Sequence, residues 1–213
     1  MSRTKIIFFG GQKGGSCKTS TALLFCLGCV LRGESAAYVL TDPHRSLKTE
    51  GRPFGVIDGR DPANLAKFIE ASQITLNGWL VIDGGGNRQA LDDALAKNAG
   101  LTVITFKDSE EDLEPAVKDL MRLPNSFALP AAWPSNKMAQ EAVKHHIEAM
   151  ENLFPLRILK PVYFVHSINE LTANTLGNPS TPVRNAARRL FDQLAELYEE
   201  HGQTIEAEAE AVA

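Results

Sequence analysis

The sequence predicts one α/β domain, a mainly parallel twisted sheet with helices on both faces. Apolar runs of strand length alternate with longer amphipathic stretches, the order expected when each strand is followed by a covering helix. At 213 residues, 44% hydrophobic and 23% charged, the chain has the size and composition of one unit able to bury its own core. No internal repeat, heptad array or long polar linker marks a second unit, so the domain is expected over residues 1–203, with a frayed acidic tail over 204–213.

Strands are expected at residues 5–9, 36–40, 79–82, 101–106, 127–132 and 161–165, with helices between them. Asp61 followed by Pro62 has the form of an N-cap with proline at the first helical position, and Leu65, Phe68 and Ile69 then mark one apolar face. Asp108 and Ser109 open a helix over 110–123, and Ser135 opens another that runs to about residue 152. The last helix, over 182–200, carries Val183, Ala187, Leu190, Leu194 and Leu197 at helical spacing. Residues 41–60, rich in Gly, Pro and charge, are the least regular and are expected to form a flexible switch beside the ligand.

The first strand runs straight into Gly10-Gly11-Gln12-Lys13-Gly14-Gly15-Ser16-Cys17-Lys18-Thr19-Ser20, and an apolar helix begins at once. Strand, glycine-rich loop and helix in this order form a P-loop, so the α/β domain is expected to be a P-loop NTPase. Gly11, Gly14, Gly15, Ser16, Cys17, Lys18, Thr19 and Ser20 are the candidate cradle. Their N–H groups curl inward, and the helix N-terminus adds its partial positive charge. Lys18 would reach the β- and γ-phosphates, and the Thr19 hydroxyl would complete the shell of a Mg²⁺ ion. The bland alternative is a glycine-rich turn with a chance Lys-Thr behind it.

Lys13-Gly14-Gly15-x-x-Lys18-Thr19-Ser20 closely resembles the Lys-Gly-Gly-x-Gly-Lys-Thr-Thr signature of the ParA/MinD family of deviant Walker A ATPases, most nearly the ParA-type DNA partition ATPases. In that family the extra lysine, here Lys13, crosses a nucleotide-sandwich dimer to the phosphates of the other subunit. The resemblance therefore implies ATP as ligand, Mg²⁺ as cofactor, and a homodimer formed on ATP. Cys17 stands where the family has glycine, a position that accepts a β-carbon only at negative φ or with a shifted loop. It is either a small residue that fits or a thiol activated at a helix N-terminus. Cys26 and Cys29 have Cys-x-x-Cys spacing inside the apolar stretch 22–31, and no matching ligand pair follows, which favours core packing over zinc. The odd cysteine count also argues against a secreted disulfide framework.

Leu40-Thr41-Asp42-Pro43-His44 is similar to the family's Asp-x-Asp-Pro-Gln. Asp42 then matches the aspartate used around Mg²⁺ and the attacking water, while Leu40 and His44 replace the other two positions. Lys13, Lys18 and Asp42 are the catalytic candidates, and Thr19, Asp42 and Asp83 the metal candidates. Asp83 ends the apolar run Trp79-Leu80-Val81-Ile82 as a Walker B carboxylate does, at the sheet edge where ligands bind in open α/β folds. A strand-end turn explains Asp83 taken alone equally well. Gly84-Gly85-Gly86 after it would let backbone approach the γ-phosphate, in a switch looser than the family's proline. The adenine-contacting asparagine of the family has no clear match; Pro130 or Trp133 stands about there, with Asn136 a weak substitute. The run from Asn169 to Pro179 is similar to the family's segment beside the adenine.

Family members position cargo on DNA or on membrane. The acidic end, Glu206-Ala207-Glu208-Ala209-Glu210-Ala211, would be repelled by anionic lipid, and no run of eighteen uncharged apolar residues appears, so a soluble cytoplasmic protein without membrane attachment is expected. A net charge of -4 excludes a globally basic nucleic-acid binder. Arg184, Arg188 and Arg189 share one face of the last helix, either a solvated face or a patch for non-specific DNA that a dimer would double. The leading reading is a slow ATP hydrolase, stimulated by a protein activator, that segregates DNA in plasmid or chromosome partition. The alternatives are a nucleotide-gated scaffold in conjugation or surface-polymer export, and a small metabolic kinase or ligase of the dethiobiotin-synthetase kind.

Overall fold

Alternation within the first strand sets the layers. In β1 (Lys5–Gly10), Ile7 and Phe9 face one apolar cluster and Ile6 and Phe8 the other, so the strand is buried on both sides. A computed structural model describes residues 4–75, 77–107, 109–152, 157–161 and 178–202. The chain continues as α1 (Lys18–Leu31), β2 (Ala36–Leu40), β3 (Gly55–Asp58), α2 (Pro62–Thr75), β4 (Trp79–Asp83), α3 (Gln89–Asn98), β5 (Leu101–Phe106), α4 (Glu110–Arg122), β6 (Ser126–Pro130), α5 (Lys137–Glu151) and α6 (Thr181–His201).

The six strands form one parallel sheet in the order β3-β2-β4-β1-β5-β6. From β1 the chain moves toward β2 past β4, and from β4 it moves toward β5 past β1. The loops after these two neighbouring strands therefore diverge, and a crevice opens at their carboxyl ends. This topological switch point fixes where a ligand can enter.

On one face α1 and α6 cover Phe9, Tyr38, Trp79, Val81 and Leu101; Phe25 packs edge-on against Trp79 and stacks on Phe191. Gly28 makes this close, since a β-carbon there would lie 2.3 Å from the Ala187 carbonyl oxygen. The other face buries Phe8, Val39, Leu80 and Ile82 under Leu65, Leu95, Leu113 and Ala116 of α2, α3 and α4. Cys26 and Cys29 lie fully buried in the first cluster, and burial pushes both thiols up, as core packing requires.

Five expected strands are present. The sixth, at 161–165, lies outside the described residues apart from Pro161, as does most of the run from Asn169 to Pro179. Residues 41–60 are less irregular than expected, because β3 pairs with β2 from Ala37 opposite Gly55 to Leu40 opposite Asp58. This four-residue edge strand is largely exposed, so it lacks the apolar run that reveals a buried one. Ser109 caps α4 by accepting from the Asp112 N–H at 3.2 Å, and Asp61 accepts from the Ala63 N–H at 2.9 Å. For α5 the cap is Asn136 rather than Ser135: its side chain accepts from the Met138 N–H at 2.8 Å, so capping the helix is the work of the residue weighed as an adenine contact.

Candidate phosphate-binding site

The loop between β1 and α1 stands at the switch point, and its backbone departs from ordinary geometry. Gly11 has φ 121°, Gly15 φ 76° and Cys17 φ 71°. Cys17 is thus left-handed, so of the two ways expected to accept its β-carbon the negative φ is not the one used, and it precedes a helix with no side-chain cap. A non-glycine residue there carries about 1–2 kcal/mol of steric strain. Gly14 and Gly15 face no protein atom within 4 Å, so the cradle side of the loop is open to a ligand.

Within the loop, Lys18 Nζ donates to the Lys13 carbonyl at 2.8 Å, and the Ser16 hydroxyl lies 3.3 Å from the same oxygen and 3.2 Å from the Thr105 hydroxyl of β5. Lys18 is only 7% exposed, and burial lowers its pKa despite the attraction of Asp83, Asp92 and Asp119. Lys13 points elsewhere. Its ammonium is partly exposed and pairs with Asp112 in the first turn of α4 at 3.4 Å. The two lysines of the loop therefore leave in different directions.

Asp83 closes the floor. It is fully buried; Tyr38 donates to Oδ2 at 2.6 Å, while Oδ1 has no hydrogen-bond partner. Burial raises its pKa to about 6, opposed by hydrogen bonds from Tyr38 and Thr19. The orphan Oδ1 and the Thr19 hydroxyl, which hydrogen-bonds the same carboxyl, make an oxygen-only donor set, the kind Mg²⁺ takes, and the residues fit such an ion.

Asp42 is placed differently from Asp83. Its Oδ1 accepts from the His44 N–H at 2.9 Å, and its Oδ2 meets Arg45 Nε at 3.4 Å, so its side chain is occupied within its own loop. The three glycines after Asp83 are tightly packed rather than loose. A β-carbon at Gly84 would lie 2.9 Å from the Phe9 carbonyl oxygen, one at Gly85 3.3 Å from Asp42 Cα, and one at Gly86 3.4 Å from the Gln12 carbonyl oxygen. Thr41 ties β2 to β4, donating its hydroxyl to the Asp83 carbonyl at 2.7 Å, while Arg88 donates to the Thr41 carbonyl at 2.7 Å.

Sequence reasoning missed Tyr38, Asp92 and Asp119. Asp119 Oδ2 accepts from the Gln12 N–H at 2.8 Å, and Asp92 Oδ2 accepts from Gln12 Nε2 at 3.0 Å. Arg122 braces Asp119 from behind at 2.8 Å and also pairs with Asp93. Burial raises Asp119 and takes Asp92 to about 6. Both aspartates lie on buried helix stripes, beside Leu95 and Ala96 or beside Ala116 and Leu123, and a carboxylate at such a position was the available signal.

Arg184, Arg188 and Arg189 lie on α6, beside the buried stripe of Val183, Ala187, Leu190 and Leu194 that packs on α1. Arg184 and Arg188 are half-buried and Arg189 is exposed. No helix among the described residues is long and apolar enough to cross a membrane.

The fold is shared with three solved proteins. The cell-division ATPase MinD of Pyrococcus furiosus superposes with a TM-score of 0.64 at 16% identity, over 91% of this chain and 99% of that one. A putative plasmid partition protein of Borrelia burgdorferi B31, bound to AMPPNP, gives 0.61 at 12% identity over 93% and 99%. Cobyrinic acid a,c-diamide synthase of Mycobacterium smegmatis, with a bound ATP analog and magnesium, gives 0.65 at 14% identity over 92% and 96%. No family model and no curated protein matches the sequence. All three share this chain's architecture, so the fold expected from the phosphate loop is present.

Proposed function

We propose that this chain is an ATP-dependent, dimerising ATPase of the ParA type that positions or segregates DNA. The observation that carries the reading is the divergence of the two loop lysines. Lys18 is folded into its own loop, ready to exchange the Lys13 carbonyl for β- and γ-phosphate oxygens. Lys13 stands at the surface on Asp112, available to a nucleotide held by a second copy. Thr19 and Asp83 would hold Mg²⁺, which when bound neutralises charge on the phosphates. Asp42 would leave Arg45 to orient the attacking water, and Leu40 and His44 in place of the family's residues make hydrolysis slow without an activator. Two copies would present Arg184, Arg188 and Arg189 twice to duplex phosphates.

The test separates the lysines. Lys18→Ala abolishes ATP binding, whereas Lys13→Ala keeps binding and loses the ATP-dependent dimer in light scattering. Equal loss of binding in both variants removes the cross-subunit role. The DNA role has its own measurement. About six phosphate contacts per dimer give a slope near -5 for log affinity against log salt, and the triple Arg→Ala variant flattens it. If the dimer forms but binds no DNA at low salt, a nucleotide-gated protein scaffold becomes the reading. A metabolic ligase is the second reading, favoured by fold similarity to the synthase, and an acceptor consumed with ATP would reveal it.

A further inference from the structure

Beside the phosphate loop, on the α1 face of the sheet, a cavity of about 330 Å³ opens between α1, β2 and the chain that follows β2. Its wall gathers His44, Arg45, Lys48 and Arg52, and no carboxylate lines it. In a chain of net charge -4, Arg45, Lys48 and Arg52 make a concentrated cationic surface, with Arg45 also paired to Asp42 at 3.4 Å. Arg52 is the deep member: it is half-buried, and burial pulls its guanidinium below the ordinary value while Tyr38 and Cys26 act the other way. A desolvated arginine facing a concave space attracts an anion more strongly than a surface one does.

The cavity touches the nucleotide site at two points. Thr19 lines it, and so does Tyr38, whose hydroxyl donates to Asp83. Otherwise it is separate, because it runs along α1 to Leu23 and Leu40 rather than over Gly14 and Gly15. Those leucines supply an apolar wall against the cationic one. The volume lies at the small end of the range for organic ligand pockets, and a bare inorganic anion would leave most of it empty.

We propose that this cavity binds a small organic molecule carrying carboxylate or phosphate groups, seated next to the nucleotide site and distinct from it. Its anionic end meets Arg52 and Lys48, and its carbon body lies on Leu23 and Leu40. Through Thr19 and Tyr38, an occupant would sense whether the Asp83 floor is engaged. The proposal does not depend on dimerisation or DNA binding.

The experiment is isothermal titration of the full chain, free of nucleotide and then saturated with a non-hydrolysable ATP analogue. The probes are glutarate for a carboxylate source, glycerol 3-phosphate for a phosphate source, and inorganic phosphate for the head group alone. One of the two organic probes is expected to saturate a single site below about 10 mM, at least about tenfold tighter than inorganic phosphate. Lys48→Glu, at an exposed position, weakens that probe by about tenfold or more, and Arg52→Gln does the same. ATP affinity, measured in parallel, stays within about twofold in Lys48→Glu, so failure here is distinguishable from failure of the ATPase reading. No saturation by either organic probe overturns the proposal. So does unchanged binding in Lys48→Glu, or displacement of the probe by the ATP analogue, which would place the anion in the phosphate cradle instead.

Discussion

On the β5 side of the phosphate loop, Asp92, Asp119 and Gln12 form a buried, hydrogen-bonded bracket. On the β2 side, Asp42, His44 and Arg45 stand at or near the surface, joined by the His44 N–H donating to Asp42 at 2.9 Å and a 3.4 Å ion pair between Asp42 and Arg45. Both flanks carry carboxylates, and they are held in different ways. The bracket takes up the Gln12 N–H where β1 gives way to the loop and so fixes its take-off from the sheet. On the proposed reading, the open flank holds the groups that would turn when a nucleotide and water arrive, and its exposed contacts cost little to rearrange. The proposed ATPase would thus divide rigidity and chemistry between the two sides of one loop.

The sharpest test of this division is Asp42→Ala. On the open flank it should leave stability within about 0.5 kcal/mol while single-turnover hydrolysis falls about a hundredfold or more, with ATP retained and dimer accumulating. Unchanged hydrolysis would mean that Asp42 does not leave Arg45, and that the β2 side is not the working side.

Asp119→Ala probes the opposite flank. It orphans the Gln12 N–H and takes from Arg122 one of its two carboxylate partners, leaving Asp93, so urea unfolding should show a loss of about 2 kcal/mol. Nucleotide affinity should fall only as far as the loop loosens. A loss no larger than that of Asp42→Ala would erase the contrast between the flanks.

The same contrast explains what could be read from the residues in advance. The loop, Asp83 and Asp42 each follow an apolar strand directly, so strand pattern and chemistry are adjacent in the chain, and the parallel sheet then brings the strand ends together. Asp92 and Asp119 reach Gln12 from helices 80 and 107 residues downstream, and only tertiary packing makes them neighbours. Tyr38 looked like an ordinary strand aromatic until register set β2 beside β4, with Tyr38 opposite Val81. The strand Gly55–Asp58 was hidden for a different reason, since an exposed edge needs no apolar alternation to form.

A smaller effect is expected from pH. The Asp92 carboxyl sits at about 6 in the folded chain against an ordinary 3.8, because burial disfavours its charged form. A raised carboxyl contributes stability that is fully present below the ordinary value and is lost as pH rises through the folded one. The nucleotide-free protein should therefore be less stable near pH 7.5 than near pH 5, with Asp83 acting in the same direction. Asp92→Asn, neutral throughout, should remove about 1–2 kcal/mol of that difference in thermal or urea unfolding. An undiminished difference would assign the slope to other groups.

The smallest expected effect tests the loop between the flanks. Cys17 holds φ 71° and ψ 20°, a conformation that costs an L-residue about 1–2 kcal/mol and glycine nothing. Glycine loses more backbone entropy on folding, about 0.5–1 kcal/mol relative to a residue with a β-carbon. The difference leaves Cys17→Gly stabilising by about 0.5–1 kcal/mol, a rise of only a few degrees in Tm for a chain of this length. Cys17→Ala keeps the β-carbon and removes the sulfur, so it should leave the strain in place and stability close to that of the parent. If alanine stabilises as much as glycine, the thiol and not the backbone is the source of the cost. If neither changes stability, the loop relaxes around Cys17 without strain, and the fixed take-off provided by Asp119 does not extend as far as the start of α1.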